Sequence, residues 1–331
     1  MPYVINRIKL TGLVLFMCMS ILSSAQKITP VQKYGNLNIE GTLIKGSNNQ
    51  IVQLSGMSLF WSQWIGKFYN YNCISWLASD WKCTVVRAAM AVGHDGYAKN
   101  PDRELEKIET VIKAAIDLGI YVVVDFHEHN AENYLPEARK FFAYIAQKYG
   151  DKPNVIYEIY NEPLKVSWSK VIKPYAEEVI NVIREHDPDN IIVCGTPNWS
   201  QNVDEASEDP IIGNNIAYAL HFYAGTHKEW LIEKAEKALS KNVCLFVTEY
   251  GTTEANGNGK VYYDETQKWF TWMDKHHISH CNWSVADKNE SSAILIQGAS
   301  PKGKWKESQI SPSGKFIKAE LQRKYSSVFG N

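Results

Sequence analysis

Residues 155–163 read Val-Ile-Tyr-Glu-Ile-Tyr-Asn-Glu-Pro, an apolar, β-prone run that stops at Asn161-Glu162-Pro163. β-branched and aromatic residues favour a strand and proline cannot donate to a strand ladder, so the run ends where the carboxylate of Glu162 is presented. The pattern is that of a strand delivering an acid to a site at its C-terminal end. Taken alone, it is equally a polar strand-to-loop turn. Partners elsewhere in the chain decide between the two.

Similar runs recur on either side. Strands are expected over 51–57, 85–90, 120–126, 155–160, 191–195, 216–222, 243–249 and 280–284, and amphipathic helices over 73–81, 103–118, 135–149, 168–186, 228–239, 262–276 and 314–325, with 196–215 the weakest helical signal. In 103–118, Leu105, Ile108, Val111, Ile112, Ala115 and Ile116 share one face, and Gly119 closes the helix. Strands and helices alternating through about 270 residues predict a closed parallel (β/α)8 barrel, the TIM barrel, in count and length. The competing open doubly wound sheet calls for a glycine-rich first crossover, which the sequence after Met57 lacks. Residues 37–54, with Gly46-Ser-Asn-Asn49 in the middle, read as a short N-terminal β-hairpin that leads into the first barrel strand and covers the barrel floor. With neither a linker nor a low-complexity tail in the sequence, 26–331 is expected to be one catalytic domain.

The chain opens with Arg7 and Lys9, then an apolar segment over 10–22, then Ser23-Ser24-Ala25. This is the pattern of a cleavable secretory signal over 1–25, which implies export to the periplasm or the medium and a mature protein without a membrane span. A net charge of −1 argues against a polyanionic partner such as nucleic acid. Eleven Trp and 18 Tyr serve mostly as core, but in a secreted neutral protein they are also the groups that stack on sugar rings. Cys18 falls in the signal segment. Of the remainder, Cys73 and Cys83 bracket a helix whose rise of ~15 Å is too long for a bridge, so neither a disulfide framework nor a metal cluster is expected.

A barrel of this kind builds its site at the C-terminal ends of its strands, so the polar residues that end the apolar runs are the informative ones. They are Arg87, Asp125-Phe-His127-Glu-His129, Asn161-Glu162, His221-Phe-Tyr223, Thr248-Glu249-Tyr250-Gly251 and Asn282-Trp283-Ser284. Glu162 and Glu249 end strands three places apart in the ring and can face one cleft. Glycoside hydrolysis needs such a pair: one carboxyl protonates the leaving oxygen, and the other attacks the sugar carbon or activates water. The alternative, a metal held by His127, His129 and His221, lacks a further acidic ligand, so no metal and no cofactor is expected.

Five motifs in order, Ile156-Tyr-Glu-Ile-Tyr-Asn-Glu-Pro163, His221-Phe-Tyr-Ala-Gly-Thr-His227, Phe246-Val-Thr-Glu-Tyr-Gly251, Asn282-Trp-Ser284 and Glu290-Ser-Ser-Ala293, resemble glycoside hydrolase family 5, specifically its bacterial and nematode endo-β-1,4-glucanases. The similarity runs over about 35–324. The resemblance implies that Glu162 is the general acid/base and Glu249 the nucleophile, with Arg87 as a fixed cation beneath it. It implies that Asn161 binds the sugar 2-hydroxyl, that His127 and His221 are site histidines, and that Tyr223 contacts the nucleophile. Trp283 resembles the platform under the sugar at the cleavage point, Trp64 and Trp199 stand as candidates for neighbouring subsites, and Lys288 and Glu290 match a loop that binds sugar hydroxyls. Two positions depart from the family's pattern: Phe60 where bacterial members commonly have histidine, and Ala91 where tyrosine is frequent.

The expected protein is therefore a secreted, metal-independent, retaining endoglucanase acting as a monomer on a β-1,4-glucan. A mannanase or xyloglucanase would use the same carboxylates, and a non-catalytic glycan-binding barrel would carry the same aromatics. A raised pKa is expected of Glu162 and a low one of Glu249 beside Arg87.

Overall fold

The apolar runs become a closed ring of eight parallel strands in the computed structural model, which describes residues 1–3 and 28–330. Beyond its first three residues, the signal segment expected over 1–25 lies outside the described residues. The ring is β3 (Ser55–Leu59), β4 (Val85–Ala91), β5 (Tyr121–His127), β6 (Val155–Glu158), β7 (Ile192–Cys194), β8 (Ile216–Tyr223), β9 (Cys244–Gly251) and β10 (His280–Val285), with β10 pairing back to β3. Between them lie the helices Tyr71–Ser79, Pro101–Leu118, Leu135–Tyr149, Lys173–Arg184, Glu229–Ser240 and Tyr263–Lys275, and Pro312–Phe329 closes the chain. The expected (β/α)8 barrel forms. Among the described residues no helix is long and apolar enough to cross a membrane.

The N-terminal hairpin also forms, from β1 (Leu37–Glu40) and β2 (Leu43–Gly46), but its turn is at Gly41-Thr42 rather than at 46–49. Gly41 supplies the positive φ of 63° that the turn requires. The expected turn at 46–49 is the next one along. It folds the chain back so that Ile51 bridges Lys45 and Val52 N–H donates to Ile44 O across 2.9 Å. This use of 51–54 moves the first barrel strand to Ser55–Leu59 instead of 51–57. Leu37, Ile44, Val52 and Leu54 then pack in one buried cluster with Val85, Tyr121, Ile156 and Phe246, sealing the barrel floor.

Alternation along the strands stacks the interior in layers. On β4, Val85 belongs to the floor cluster, Val86, Ala88 and Met90 to the core shared with the helices, and Ala89 and Ala91 to a small cluster with Phe60, Trp61 and Trp283. Arg87 sits between floor and top. The same alternation puts Asp125 above Val123 and Glu158 above Ile156. A charged layer therefore lies inside the barrel, directly over the apolar floor.

Two helix expectations are corrected. The one over 168–186 begins with a π-helical turn, Trp168–Ile172, before the α-helix Lys173–Arg184. The segment 196–215 holds only the short pieces Pro197–Ser200 and Val203–Glu208, and in the first Asn198, Trp199 and Ser200 are left-handed, with φ of 60°, 58° and 54°. Cys73, Cys83, Cys194, Cys244 and Cys281 are buried free thiols.

Candidate active site

Arg87 is fully buried and organises the charged layer. Its Nε and Nη2 donate to the two oxygens of Glu158 at 2.7 and 3.1 Å, Nη2 also donates to Asn161 Oδ1 at 2.6 Å, and Nη1 donates to Glu249 Oε2 at 3.0 Å. Asp125 Oδ2 lies 3.0 Å from the same guanidinium and 2.6 Å from His127 Nδ1. One cation thus serves three buried carboxylates. The fork is bidentate to Glu158, and although burial works to raise the Glu158 carboxyl, Arg87 and His221 outweigh it and hold it below its usual range. Asp125 is pushed well up by burial and by the neighbouring carboxylates, against the pull of Arg87.

Glu249 receives what remains. The Tyr223 hydroxyl donates to its Oε1 across 2.7 Å. Its carboxyl is nonetheless raised, by burial first and then by the charge of Glu162, while His221, Arg87 and the Tyr223 hydrogen bond pull the other way without prevailing. This corrects the expectation of a low value, which gave Glu249 an arginine of its own.

A register shift brings Glu249 into place. Ala219 pairs with Phe246 but His221 pairs with Glu249, so β9 carries one more residue than β8 across this interval. Such a bulge re-aims a side chain. As a result both Thr248 and Glu249 reach inward groups: Thr248 donates to Glu158 Oε1 at 2.7 Å, while Glu249 meets Arg87 and Tyr223.

Glu162 follows the end of β6, with its side chain 13% exposed. His221 Nδ1 is 2.9 Å from its Oε1, and His129 Nδ1 is 3.5 Å from its Oε2. Burial opposes charge on His221, but its contacts with Glu158 and Glu162 and the nearby Glu249 outweigh burial and raise its pKa to about 9. Ligand atoms of Glu162, His221 and Glu249 all lie within 4.8 Å of one another. They open onto a cavity of about 390 Å³ that Trp199, Tyr223 and His227 also line.

The carboxamide oxygen of Asn161 is taken by Arg87, and among the described residues its Nδ2 is buried without a partner. That leaves one buried amide donor free beside Arg87 and the Glu162 loop. Trp283 is buried and stacks on His127 with ring centroids 5.2 Å apart and planes 7° from parallel. Its other neighbour, Phe60, is 5.1 Å away and carries the ammonium of Lys288 at 4.6 Å from its ring. Lys288 pairs with Glu290 at 2.6 Å, and the two line a separate cavity of about 1140 Å³ with Lys228, Tyr262 and Tyr263, not the carboxylate cavity.

Trp64 is 57% and Trp199 37% exposed, so neither is a core aromatic. Trp199 is presented by the left-handed turn, which is tied to the Glu162 loop: Trp199 N–H donates to Pro163 O and the Ser200 hydroxyl to Asn161 O, each at 2.8 Å. Ala91 adds only a methyl to the cluster of Phe60, Trp61 and Trp283.

The structure also brings in Glu158 in the charged layer and Trp61, whose ring is 4.1 Å from that of His127, neither of which stands at a strand end in the sequence, and it gives places to Asp125 and Thr248 in the charged layer and to His129 beside Glu162. The histidine pair weighed as metal ligands is split, His127 turning to Asp125 and His129 to Glu162. Among the described residues, one grouping, Glu162, His221 and Glu249, offers three potential ligand side chains in reach of one another, and both nitrogens of its histidine already have protein partners.

Residues 45–289 match the family described as Cellulase (glycosyl hydrolase family 5). The sequence is 50% identical over 290 residues to Endoglucanase Z of Dickeya dadantii (strain 3937), covering 86% of this chain and 66% of that protein. It is 48% identical over 276 residues to Endoglucanase A of Evansella cellulosilytica, covering 82% and 56% respectively. The chain thus spans less than two thirds of the length of these curated relatives. A solved structure from Cytophaga hutchinsonii is similar at a TM-score of 0.90 and 52% identity, covering 91% of this chain and 99% of that one. The catalytic domain of Thermobifida fusca endoglucanase Cel5A is similar at a TM-score of 0.86 and 35% identity, covering 89% and 99%.

Proposed function

The chain belongs to glycosyl hydrolase family 5, the cellulase family, and on that premise we propose that it is a secreted, monomeric, retaining endo-β-1,4-glucanase that cuts internal bonds of cellulose or mixed-linkage β-glucan. The observation that carries this reading is the spacing of two carboxylates: oxygens of Glu162 and Glu249 lie within 4.8 Å of each other across one cleft. A short gap leaves room for direct attack on the sugar carbon, whereas an inverting pair stands wider apart to admit a water.

In the first step Glu249 attacks the anomeric carbon while Glu162 gives its proton to the departing glycosidic oxygen, leaving a glycosyl ester on Glu249 and a shortened chain with a free hydroxyl. In the second, Glu162, now ionised, takes a proton from water, whose oxygen displaces Glu249 and restores the original configuration. Tyr223 and Arg87 each fix one oxygen of Glu249. The free N–H of Asn161 faces the 2-hydroxyl, whose hydrogen bond strengthens as charge develops in the ring. Trp283 underlies the sugar at the point of cleavage, Trp64 and Trp199 hold sugars on either side, and Lys288 and Glu290 bind hydroxyls beside Phe60. Export rests on the signal pattern of 1–25.

Reducing-sugar release from cellulose, lichenan, mannan and xyloglucan, together with proton NMR of the first product from a soluble β-glucan, tests this reading. Cleavage of the two glucans with the β-anomer appearing first is expected. An α-anomer first would overturn retention, and activity confined to mannan or xyloglucan would overturn the substrate.

A further inference from the structure

His221 stands between two acids, and its hydrogen bonds can be counted. Glu158 is buried, held in its ionised form by the Arg87 fork, and can only accept. The single hydroxyl proton of Thr248 therefore goes to Glu158 Oε1, at 2.7 Å. Thr248 Oγ1 then has only lone pairs left to offer His221 Nε2, 2.9 Å away, so that nitrogen must carry hydrogen. The tautomer of a histidine is set by the partner of its other nitrogen. A neutral His221 is thus left with a bare Nδ1, 2.9 Å from Glu162 Oε1.

The consequence concerns one proton. While the pair of Glu162 and His221 holds it, the proton sits on either side of the 2.9 Å contact and bonds the two. Once it is lost, the bare Nδ1 faces a carboxylate, lone pair against lone pair. A ring free to move its remaining hydrogen to Nδ1 would escape this clash by donating to Glu162, and the pair would give up its proton more readily. Other charged or titratable groups facing the ring and its partner are Glu249 on β9, Arg87 on β4, His127 on β5, His227 after β8, and His129 beside Glu162. Glu158 Oε1 also faces Nε2 at 3.6 Å, beyond hydrogen-bond reach, and adds to the preference for hydrogen on that nitrogen; the atom within hydrogen-bond distance of Nε2 is Thr248 Oγ1.

We propose that Thr248, oriented by Glu158, is a positioning residue that locks His221 in the Nε2–H tautomer and thereby sets where the basic limb of the reaction's pH profile falls. The proposal rests on reading Glu162 as the acid/base.

Two measurements test it. In wild-type protein with ¹⁵N-labelled histidine, imidazole shifts followed between about pH 6 and 10 should show the neutral ring of His221 carrying hydrogen on Nε2. A neutral ring with hydrogen on Nδ1 would overturn the lock, whatever the enzyme's substrate proves to be. In Thr248→Val the acceptor within hydrogen-bond distance of Nε2 is gone and only Glu158 Oε1 at 3.6 Å remains there, against Glu162 Oε1 at 2.9 Å from Nδ1; the ring should pass to the Nδ1–H form, and the basic limb of kcat on a soluble β-glucan should fall by about one pH unit, a tenfold change in the proton equilibrium. Thr248→Ser keeps the hydroxyl and should keep the limb. A folded Thr248→Val protein with lower kcat but an unmoved limb would reduce Thr248 to a packing role and overturn the catalytic part. Should the valine variant fail to fold, the wild-type tautomer and the serine limb still decide. Failure of the underlying reading would show differently, as absence of glucan hydrolysis in the wild type.

Discussion

The hydroxyl of Tyr223 donates to Oε1 of Glu249 across 2.7 Å, leaving Oε2 to Arg87 at 3.0 Å. Because burial and Glu162 already raise the Glu249 carboxyl, this phenol is one of the few groups opposing them. Tyr223→Phe is therefore expected to push the carboxyl higher still. A nucleophile must be ionised, and activity is lost as pH falls through its pKa, so the acidic limb of kcat/KM should move to higher pH. Loss of a hydrogen bond to a charged group costs about 1.5–3 kcal/mol, roughly ten- to a hundredfold in rate. A lower rate with the limb in its wild-type place would contradict this account of Glu249.

The two glutamates should fail in different ways. Glu249→Ala removes the attacking group, so hydrolysis of carboxymethylcellulose should disappear, and azide entering the vacated space should turn over an activated aryl glycoside with inversion. Glu162→Ala removes proton transfer, worth about 10²–10⁴-fold, on a sugar leaving group but far less on an activated phenol that leaves unaided. Equal losses of Glu162→Ala on both substrates would sink the acid/base assignment.

What the sequence disclosed follows a physical divide. The barrel was legible because each strand is an apolar run with a polar end, and Glu162 and Glu249 stood out as acids at two such ends. Glu158 did not, since it lies within an apolar run that reads as a buried strand, and Asp125, although it stands among the strand-end polar residues, carried no sign of its tie to Arg87. Period-two alternation was the available signal: Glu158 shares a face with Ile156 and Asp125 shares one with Val123. That Thr248 and Glu249 both reach inward follows from the register shift on β9, which no strand-length pattern reveals. The segment 196–215 misled because its local geometry is set by ties to Pro163 and Asn161, contacts distant in sequence.

Arg87 leads to a stability prediction. It is wholly buried and touches Asp125, Glu158 and Glu249, and its planar fork meets Glu158 at two points. Arg87→Lys keeps the charge but cannot reproduce the fork. Each buried hydrogen bond to a charged group that the single ammonium cannot remake costs about 1.5–3 kcal/mol. Denaturant unfolding should register a loss of that order, with activity lost alongside. A variant as stable as wild type would mean that Glu158 is held by groups other than the arginine.

Histidines on opposite sides of their ordinary pKa should give the fold a stability maximum. Burial lowers His227 to about 4 and holds His127 and His280 well below the usual range. These rings are neutral in the folded chain and take up protons on unfolding at acid pH, so stability should fall as pH drops from about 6.5 towards 4. His221, raised to about 9, works in reverse: its contribution is complete below about 6.5 and is lost as pH climbs through about 9. The thermal midpoint should therefore peak near pH 6.5 and decline on both sides. His280 is the separable test, since among the described residues neither of its ring nitrogens has a hydrogen-bond partner. His280→Leu should flatten the acid side while leaving the basic side in place. An unchanged acid slope in that variant would rule out His280 as a source of the acid instability.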